Sequence, residues 1–421
     1  VNELNKHDPY SAFRVKAYRL YLMGWFAALI GNQIQSTAIG WEMYQRTGEA
    51  LALGFVGLAI ALPTMVLALP GGYLADAFNR KTVVMLSLAG TTLTSIALAI
   101  LSWKQGHIGW MYAILVVDAS VTVLGSPARR SLLPQLVPRE VFPNAVTWST
   151  SMMQMASMVG PAIGGLIVAF NVPFAYVASA ACTGWFVMML LRMEIRPVAR
   201  NEADVKPSAM DNLFGGLRFI GRNRLLLWVM SLDMFAVLLG GAVYLLPVFA
   251  EDILNVGPGG FGVLRSAPAV GALCMALTLA HLPPMKHAGR NLLLAVGAFG
   301  AVTIVFGFSQ NYWLSFAMLF FTGMFDNVSM VIRHTVVQLT TPDSMRGRVS
   351  AVNGVFVSAS NELGGMESGL VAHWFGPVIS VVSGGIGTIA VVATIAMASP
   401  SLRRVGTMHE IKAEEEDRVV I

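Results

Sequence analysis

Twelve apolar stretches recur along this chain, at 20–45, 51–76, 82–103, 109–128, 143–170, 173–192, 225–250, 261–281, 291–309, 312–333, 346–372 and 375–398. A lipid-crossing helix needs about 20 such residues. Inside lipid every backbone N–H and C=O must be bonded within its own segment, so stretches of this length fold as helices. Most connections are short; only 193–224 is long and strongly charged, and it divides six stretches from six. The composition agrees, with 55% hydrophobic and 12% charged residues, about half the roughly 25% charge of soluble proteins. So few charges cannot cover a water-soluble globule of 421 residues. The expected fold class is an all-α membrane protein with twelve transmembrane helices in two six-helix bundles. The expected domains are 1–192 and 225–400, a cytoplasmic linker 193–224 with an amphipathic helix at Asp211–Arg224, and a disordered tail 401–421 containing Glu414–Asp417.

The net charge of +5 would suggest nucleic acid in a soluble protein. Its placement points elsewhere. If the N-terminus is cytoplasmic, 24 of the 28 Lys and Arg fall on the cytoplasmic side and only Arg46 and Lys104 fall outside. Arg265 and Arg333 remain within spans. This is the positive-inside pattern, so both termini are expected in the cytoplasm of a bacterial-type inner membrane, and nucleic acid is not an expected partner. Cys182 and Cys274 form no C-x-x-C pair, and the seven histidines show no metal-binding spacing. No phosphate-binding loop is present, so ATP drive within the chain is not expected. The chain starts polar and enters a full-length span, with no cleavable signal expected.

The halves repeat one another. Arg130, Gln135, Pro138, Gly160 and Gly165 in the first correspond to Arg333, Gln338, Pro342, Gly364 and Gly369 in the second, with one inserted residue before Pro342. A duplicated six-helix unit is typical of secondary transporters, whose substrate sites lie between repeats near the bilayer midplane. Features of one half alone are then better candidates for chemistry. Glu362 and Glu367 align with Met158 and Ile163, outside the shared scaffold.

The residues at this point resemble the major facilitator superfamily. Gly72-Tyr-Leu-Ala-Asp76-Ala-Phe-Asn-Arg80-Lys81 is similar to its G-x-x-x-D-R-x-G-R-[RK] motif, with Ala77 in place of Arg and Asn79 in place of Gly. Asn tolerates a left-handed conformation better than most residues. The resemblance implies a cytoplasmic gate built from Gly72, Asp76, Arg80 and Lys81, and Arg129, Arg130 and Arg333 are assigned to that end. Gly160-Pro-Ala-Ile-Gly164-Gly165 is similar to the end of the motif that marks drug-exporting antiporters, although Thr147 and Ala156 replace its upstream glycines. The stretches Leu232–Leu254, Gly260–Ala272 and Arg346–Gly369 resemble the drug and siderophore exporter branch, to which enterobactin exporters and macrolide efflux proteins belong.

Charges within the spans carry the candidate chemistry, since each costs at least about 2.5–3.5 kcal/mol at a helix centre. Asp118, Asp233, Asp326 and Glu362 are the proton-coupling candidates. Each has a plainer alternative as a structural hydrogen-bonder or ion-pair partner. Arg333 repeats Arg130, which favours a structural role at the cytoplasmic end. Arg265 would draw an anionic substrate or pair with Glu362. Ser350, Asn353, Ser360 and Asn361 share one face of their helix, and Glu362 stands about 100° from Asn361. Substrate-binding candidates are Asn32, Gln35, Trp148, Gln154, Arg265, Asn353 and Asn361. The alternative for the amides is hydrogen bonding between helices. Gly160, Pro161, Gly164 and Gly165 are expected to serve packing and hinging.

Together with the resemblance, these features lead to the expectation of a secondary transporter, not an enzyme, that exports a small amphipathic organic molecule, drug-like or siderophore, by proton antiport through alternating access. Transport of lysophospholipid or another lipid is the alternative, and a receptor without turnover is a weaker one. No cofactor is expected beyond protons as coupling ion. The partners are a small-molecule substrate and the bilayer, and the chain is expected to act as a monomer.

Overall fold

The structure, a computed structural model, describes residues 8–193, 209–283 and 285–403. Among them every regular element is helical. A short 3₁₀ turn at Ser11–Arg14 leads into α1 (Lys16–Thr47), α2 (Ala50–Ala77), α3 (Arg80–Trp103), α4 (Ile108–Leu136), α5 (Phe142–Phe170) and α6 (Val172–Leu191). After α7 (Ala209–Arg222) the second half begins with α8 (Arg224–Leu239), a 3₁₀ turn (Ala242–Leu245), α9 (Leu246–Val248) and a π turn (Phe249–Ile253). It continues with α10 (Gly257–His281), α11 (Ala288–Phe308), α12 (Tyr312–Thr340), α13 (Asp343–Phe375), α14 (Pro377–Ala398) and α15 (Pro400–Arg403). The seventh span is thus one run, Arg224–Ile253, assembled from several helix types and broken at Gly240-Gly241.

Twelve membrane-length segments result. Ten are apolar enough over their length to cross a membrane. The first and eleventh, α1 and α13, have the length but carry stripes of Asn, Gln, Ser and Glu. Most of the linker, at 194–208, and the tail at 404–421, with Glu414–Asp417, lie outside the described residues.

Local chemistry sets the ends. Asn79 accepts from Lys81 N and Thr82 N and so caps α3. Its φ of −62° is extended rather than left-handed, so its value here is the cap. His107 Nδ1 accepts from Gly109 N at the start of α4, and Asn311 caps α12 in the same way as Asn79. Gly376 (φ +89°) turns the chain from α13 into α14, a conformation that suits a residue without Cβ.

By contact the chain forms two compact units. One holds the chain up to Ile39 and from Val66 through α6; the other holds Gly40–Met65 and the chain from α7 onward. The end of α1 and the start of α2 therefore group with the second half. The first unit is built around buried Tyr18, Leu132, Phe186 and Leu190. The second is built around Leu232, Leu292, Ile332 and Val336.

The sequence repeat is visible in the packing. In the first unit α3 lies against α4 and α6; in the second α11 lies against α12 and α14, the corresponding pairs. The aligned glycines do the same work in each. A Cβ on Gly160 would meet Gln33 of α1 at 2.5 Å, and one on Gly364 would meet the Leu238 carbonyl of α8 at 2.8 Å. Small residues let the fifth helix of each half approach the first, as in other membrane bundles.

Candidate functional site

In the first unit the chemistry gathers on Asp118. It lies ten residues into α4, about 15 Å along the axis. Thr94 Oγ1 of α3 is 2.5 Å from Asp118 Oδ1, and Gln35 Nε2 of α1 donates to Oδ2 at 3.2 Å. The Gln35 amide is oriented by two hydroxyls on its oxygen, Ser95 at 2.6 Å and Ser179 of α6 at 3.0 Å. Four helices thus converge on one carboxyl group, and Gln35, Thr94, Ser95 and Ser179 are buried.

Counting protons shows what this arrangement can do. Thr94 has one hydroxyl proton and two acceptors in reach, Asp118 Oδ1 and the Thr91 carbonyl at 2.9 Å. If Asp118 carries a proton on Oδ1, it donates to Thr94 and Thr94 donates to Thr91. If Asp118 is ionised, Thr94 turns its proton to the carboxylate. Both states leave the Thr94 and Asp118 protons paired, so the two protonation states of the carboxyl differ at Thr94 by rotation of one hydroxyl. A buried polar group without such partners would be costly.

The hydroxyls continue along α3. Ser87 donates to the Val121 carbonyl at 2.6 Å, and Thr91 lies 3.4 Å from Thr122, both on α4. None of these was singled out from the sequence, although Ser87, Thr91, Thr94 and Ser95 follow the three-to-four-residue spacing of one helix face. Hydroxyls are common in apolar helices, which hides the stripe until the facing carboxylate is known.

In the second unit Asp233 of α8 and Arg333 of α12 form a buried ion pair. Arg333 is therefore tied across helices. Asp326, seven residues earlier on α12, shares a small cavity with Asp233, Ala236, Val237, Val296, Phe299, Phe325 and Ser329. Tyr244, in the 3₁₀ turn beyond the α8 break, donates to Glu362 Oε2 at 2.9 Å. Arg265 lies in the field of both and 5.9 Å from the Phe261 ring centroid. The angular conflict on α13 resolves simply. Asn361 is exposed and donates to its own helix at Val357 O, 2.8 Å, while Glu362 turns to Tyr244. Asn353 is buried.

The remaining candidates fall in several places. Asn32 is exposed on α1, and Gln154 is half-buried on α5. Trp148 is held by the amino-terminal segment: its Nε1 donates to the Pro9 carbonyl at 2.9 Å and its ring meets Tyr10 and Phe13. At the basic end of the first unit, Arg80 donates to the Ser131 carbonyl at 3.1 Å and Lys81 to the Met193 carbonyl at 2.6 Å. Asp76 and Arg130 are exposed, and a Cβ on Gly72 would meet nothing. Arg129 lies over Trp25, 4.1 Å from the ring centroid. Among the described residues, no three His, Cys, Asp or Glu side chains are grouped as a metal site needs.

Two units built of membrane-length apolar helices define a multi-pass membrane protein. The family of transmembrane secretion effectors matches residues 7–416, and this chain belongs to it, within the major facilitator superfamily. It is 24% identical over 390 residues to the enterobactin exporter EntS of Escherichia coli O1:K1 / APEC, covering 92% of this chain and 93% of that one. The same figures hold for the enterobactin exporter EntS of Shigella boydii serotype 18. Among solved structures, a bacterial homolog of the human lysosomal transporter Spinster, inward-facing and unoccupied, aligns at TM-score 0.68 and 14% identity, over 92% of this chain and 96% of that one. The nucleoside transporter NupG aligns at TM-score 0.71 and 14% identity, over 90% and 98%. These likenesses establish the major facilitator fold.

Proposed function

We propose that this transporter is a proton-coupled exporter of a small amphipathic organic molecule, drug-like or siderophore, working by alternating access from the cytoplasmic side of an inner membrane. The observation that carries the reading is the Asp118 cluster. A carboxyl group that can be satisfied with or without its proton, in the middle of an apolar helix, is what exchange against a proton requires. The resemblance of the whole chain to enterobactin exporters supports an organic substrate moved outward. The positive-inside distribution supports cytoplasmic termini. The chain acts as a monomer in this reading, with substrate and bilayer as its partners.

The test is transport in proteoliposomes under an imposed pH gradient, with siderophores, macrolides and lysophospholipids compared side by side. Gradient-driven movement of a siderophore or macrolide, lost on collapsing the gradient and in Asp118→Asn, is the expected result. Proton antiport is wrong if an identified substrate moves equally well without the gradient and in Asp118→Asn, Asp233→Asn and Asp326→Asn. Movement of lysophospholipid alone would replace the substrate class.

A further inference from the structure

The face of α7 turned away from the core of the second unit is basic, and its charges are unpaired. The opposite face is fixed in place. A Cβ on Gly216 would meet the Arg348 carbonyl of α13 at 2.8 Å, and Ile220 is buried in a cluster with Leu226, Val349 and Val352. These contacts set the rotation of α7 and leave Leu217, Arg218, Gly221 and Arg222 exposed. Arg218 and Arg222 lie four residues apart on α7, and Arg224, also exposed, begins α8. None of the three arginines makes an ion pair or hydrogen bond among the described residues.

Like charges four apart on a helix repel one another, and the surroundings do not offset them. No Asp or Glu occurs from 212 to 232. Asp233 is taken by Arg333. The start of α13, which packs on α7, adds Asp343, Arg346 and Arg348, and α15, which packs on α8, ends in Arg403. This corner of the second unit is therefore net positive.

Its depth indicates what covers it. Arg224 opens the seventh span, Arg224–Ile253, so Arg222 and Arg224 stand where the apolar stretch reaches the headgroups. Trp228, one turn further along, is of the type that gathers at this boundary. Leu217 and Leu227 are exposed beside the arginines. Guanidinium groups bear forked donors that match phosphate oxygens. Bordered by leucines, they suit a surface with phosphates at its face and hydrocarbon beneath. An acidic peptide, such as this chain's own Glu414–Asp417, would leave the leucines in water.

We propose that the outer face of α7 docks on anionic phospholipid headgroups through Arg218, Arg222 and Arg224. The leaflet is the one at the basic end of the spans, which is cytoplasmic in the export reading. The docking itself depends on neither the substrate nor the proton of that reading. Because Gly215-Gly216 seats α7 against Arg348, lipid that holds α7 also steadies the start of α13.

The experiment follows hydrogen exchange of the backbone amides of 215–224 in the full chain, held in nanodiscs of phosphatidylcholine alone or with one third phosphatidylglycerol. Phosphatidylglycerol is expected to slow that exchange by at least about tenfold, given about fivefold for each arginine near an anionic surface. High salt should weaken the effect. Arg218→Gln, Arg222→Gln and Arg224→Gln should each lose severalfold of it, and the triple substitution nearly all. Arg139→Gln, an equal change of charge at an exposed position of the first unit, should leave it intact. If the triple variant does not fold, Arg222→Gln alone decides. Equal exchange in the two lipids, slowing that survives the arginine substitutions, or slowing that Arg139→Gln removes as well overturns the proposal. Slowing by soluble glycerophosphoglycerol in phosphatidylcholine discs would make this a site for free phosphate esters and also overturns it. Slowing that appears only after Glu414, Glu415, Glu416 and Asp417 are changed to their amides would give the face to the chain's own tail, again against the proposal. The export reading is judged apart: gradient-driven transport that is lost in Asp118→Asn stands whichever lipid α7 meets.

Discussion

Asp118 and Asp233 meet the same cost of a charge in lipid by different means, one with hydroxyls and an amide, the other with a guanidinium. The difference makes separate predictions. Asp118→Asn keeps the size and most hydrogen bonds of the site but has no proton to give. It should lose gradient-driven transport by about tenfold or more while keeping substrate exchange across vesicles without a gradient, read by labelled-substrate counterflow. Removing one partner of the buried pair leaves the other charge alone, so Asp233→Asn or Arg333→Met should each cost about 3–5 kcal/mol of stability. The double substitution should recover much of that loss, measured by unfolding in detergent. The carboxyl groups themselves were legible in the sequence because charge stands out against 55% apolar residues. Their partners were not. Gln35 stands out by its own polarity, Thr94 and Ser95 do not stand out among the many hydroxyls of apolar helices, and Trp148 binds the Pro9 carbonyl. Which polar group faces which depends on how helices rotate about their axes, and span assignment does not fix that.

The helices were the most readable level, since length and hydropathy determine them, but the seventh span hid its construction. Its apolar residues run on without pause, while Gly240-Gly241 and Pro247 divide it into α, 3₁₀, α and π segments. The broken stretch is what places Tyr244 against Glu362. Glycines then let neighbouring helices come close to its exposed carbonyls: Gly364 faces the Leu238 carbonyl and Gly384 the Leu239 carbonyl. A valine at 364 has no room to move backbone atoms aside. Gly364→Val should destabilise by about 1–3 kcal/mol or more, seen as a lower melting temperature, with little effect expected from the same change at Gly354, where a Cβ meets nothing. At the start of α3, Asn79→Ala should cost about 1 kcal/mol through the lost cap, measured the same way.

At the scale of the whole molecule, the first two helices do not respect the division between halves. Their stretch Gly40–Met65 belongs to the second unit, where Tyr44 donates to Asp252, Trp41 stacks on Phe261, and Gly54 lies against Gly369. Joining Tyr44→Cys to Asp252→Cys with a short bifunctional thiol reagent, in a chain with Cys182 and Cys274 replaced, should stop transport. Undiminished transport by the joined protein would mean that this contact never opens during turnover. The duplication that gave the molecule its two halves was legible from spacing alone, because Arg, Pro and Gly keep their intervals. It also has an evolutionary consequence. Two copies of one scaffold can drift apart wherever a position packs nothing essential, and must stay together wherever backbones touch. Substituted one residue at a time, Gly160 and Gly364 should be intolerant as a matched pair. Met158 and Glu362, aligned but unlike, should differ in tolerance, and that asymmetry would mark where the older symmetric protein acquired its direction.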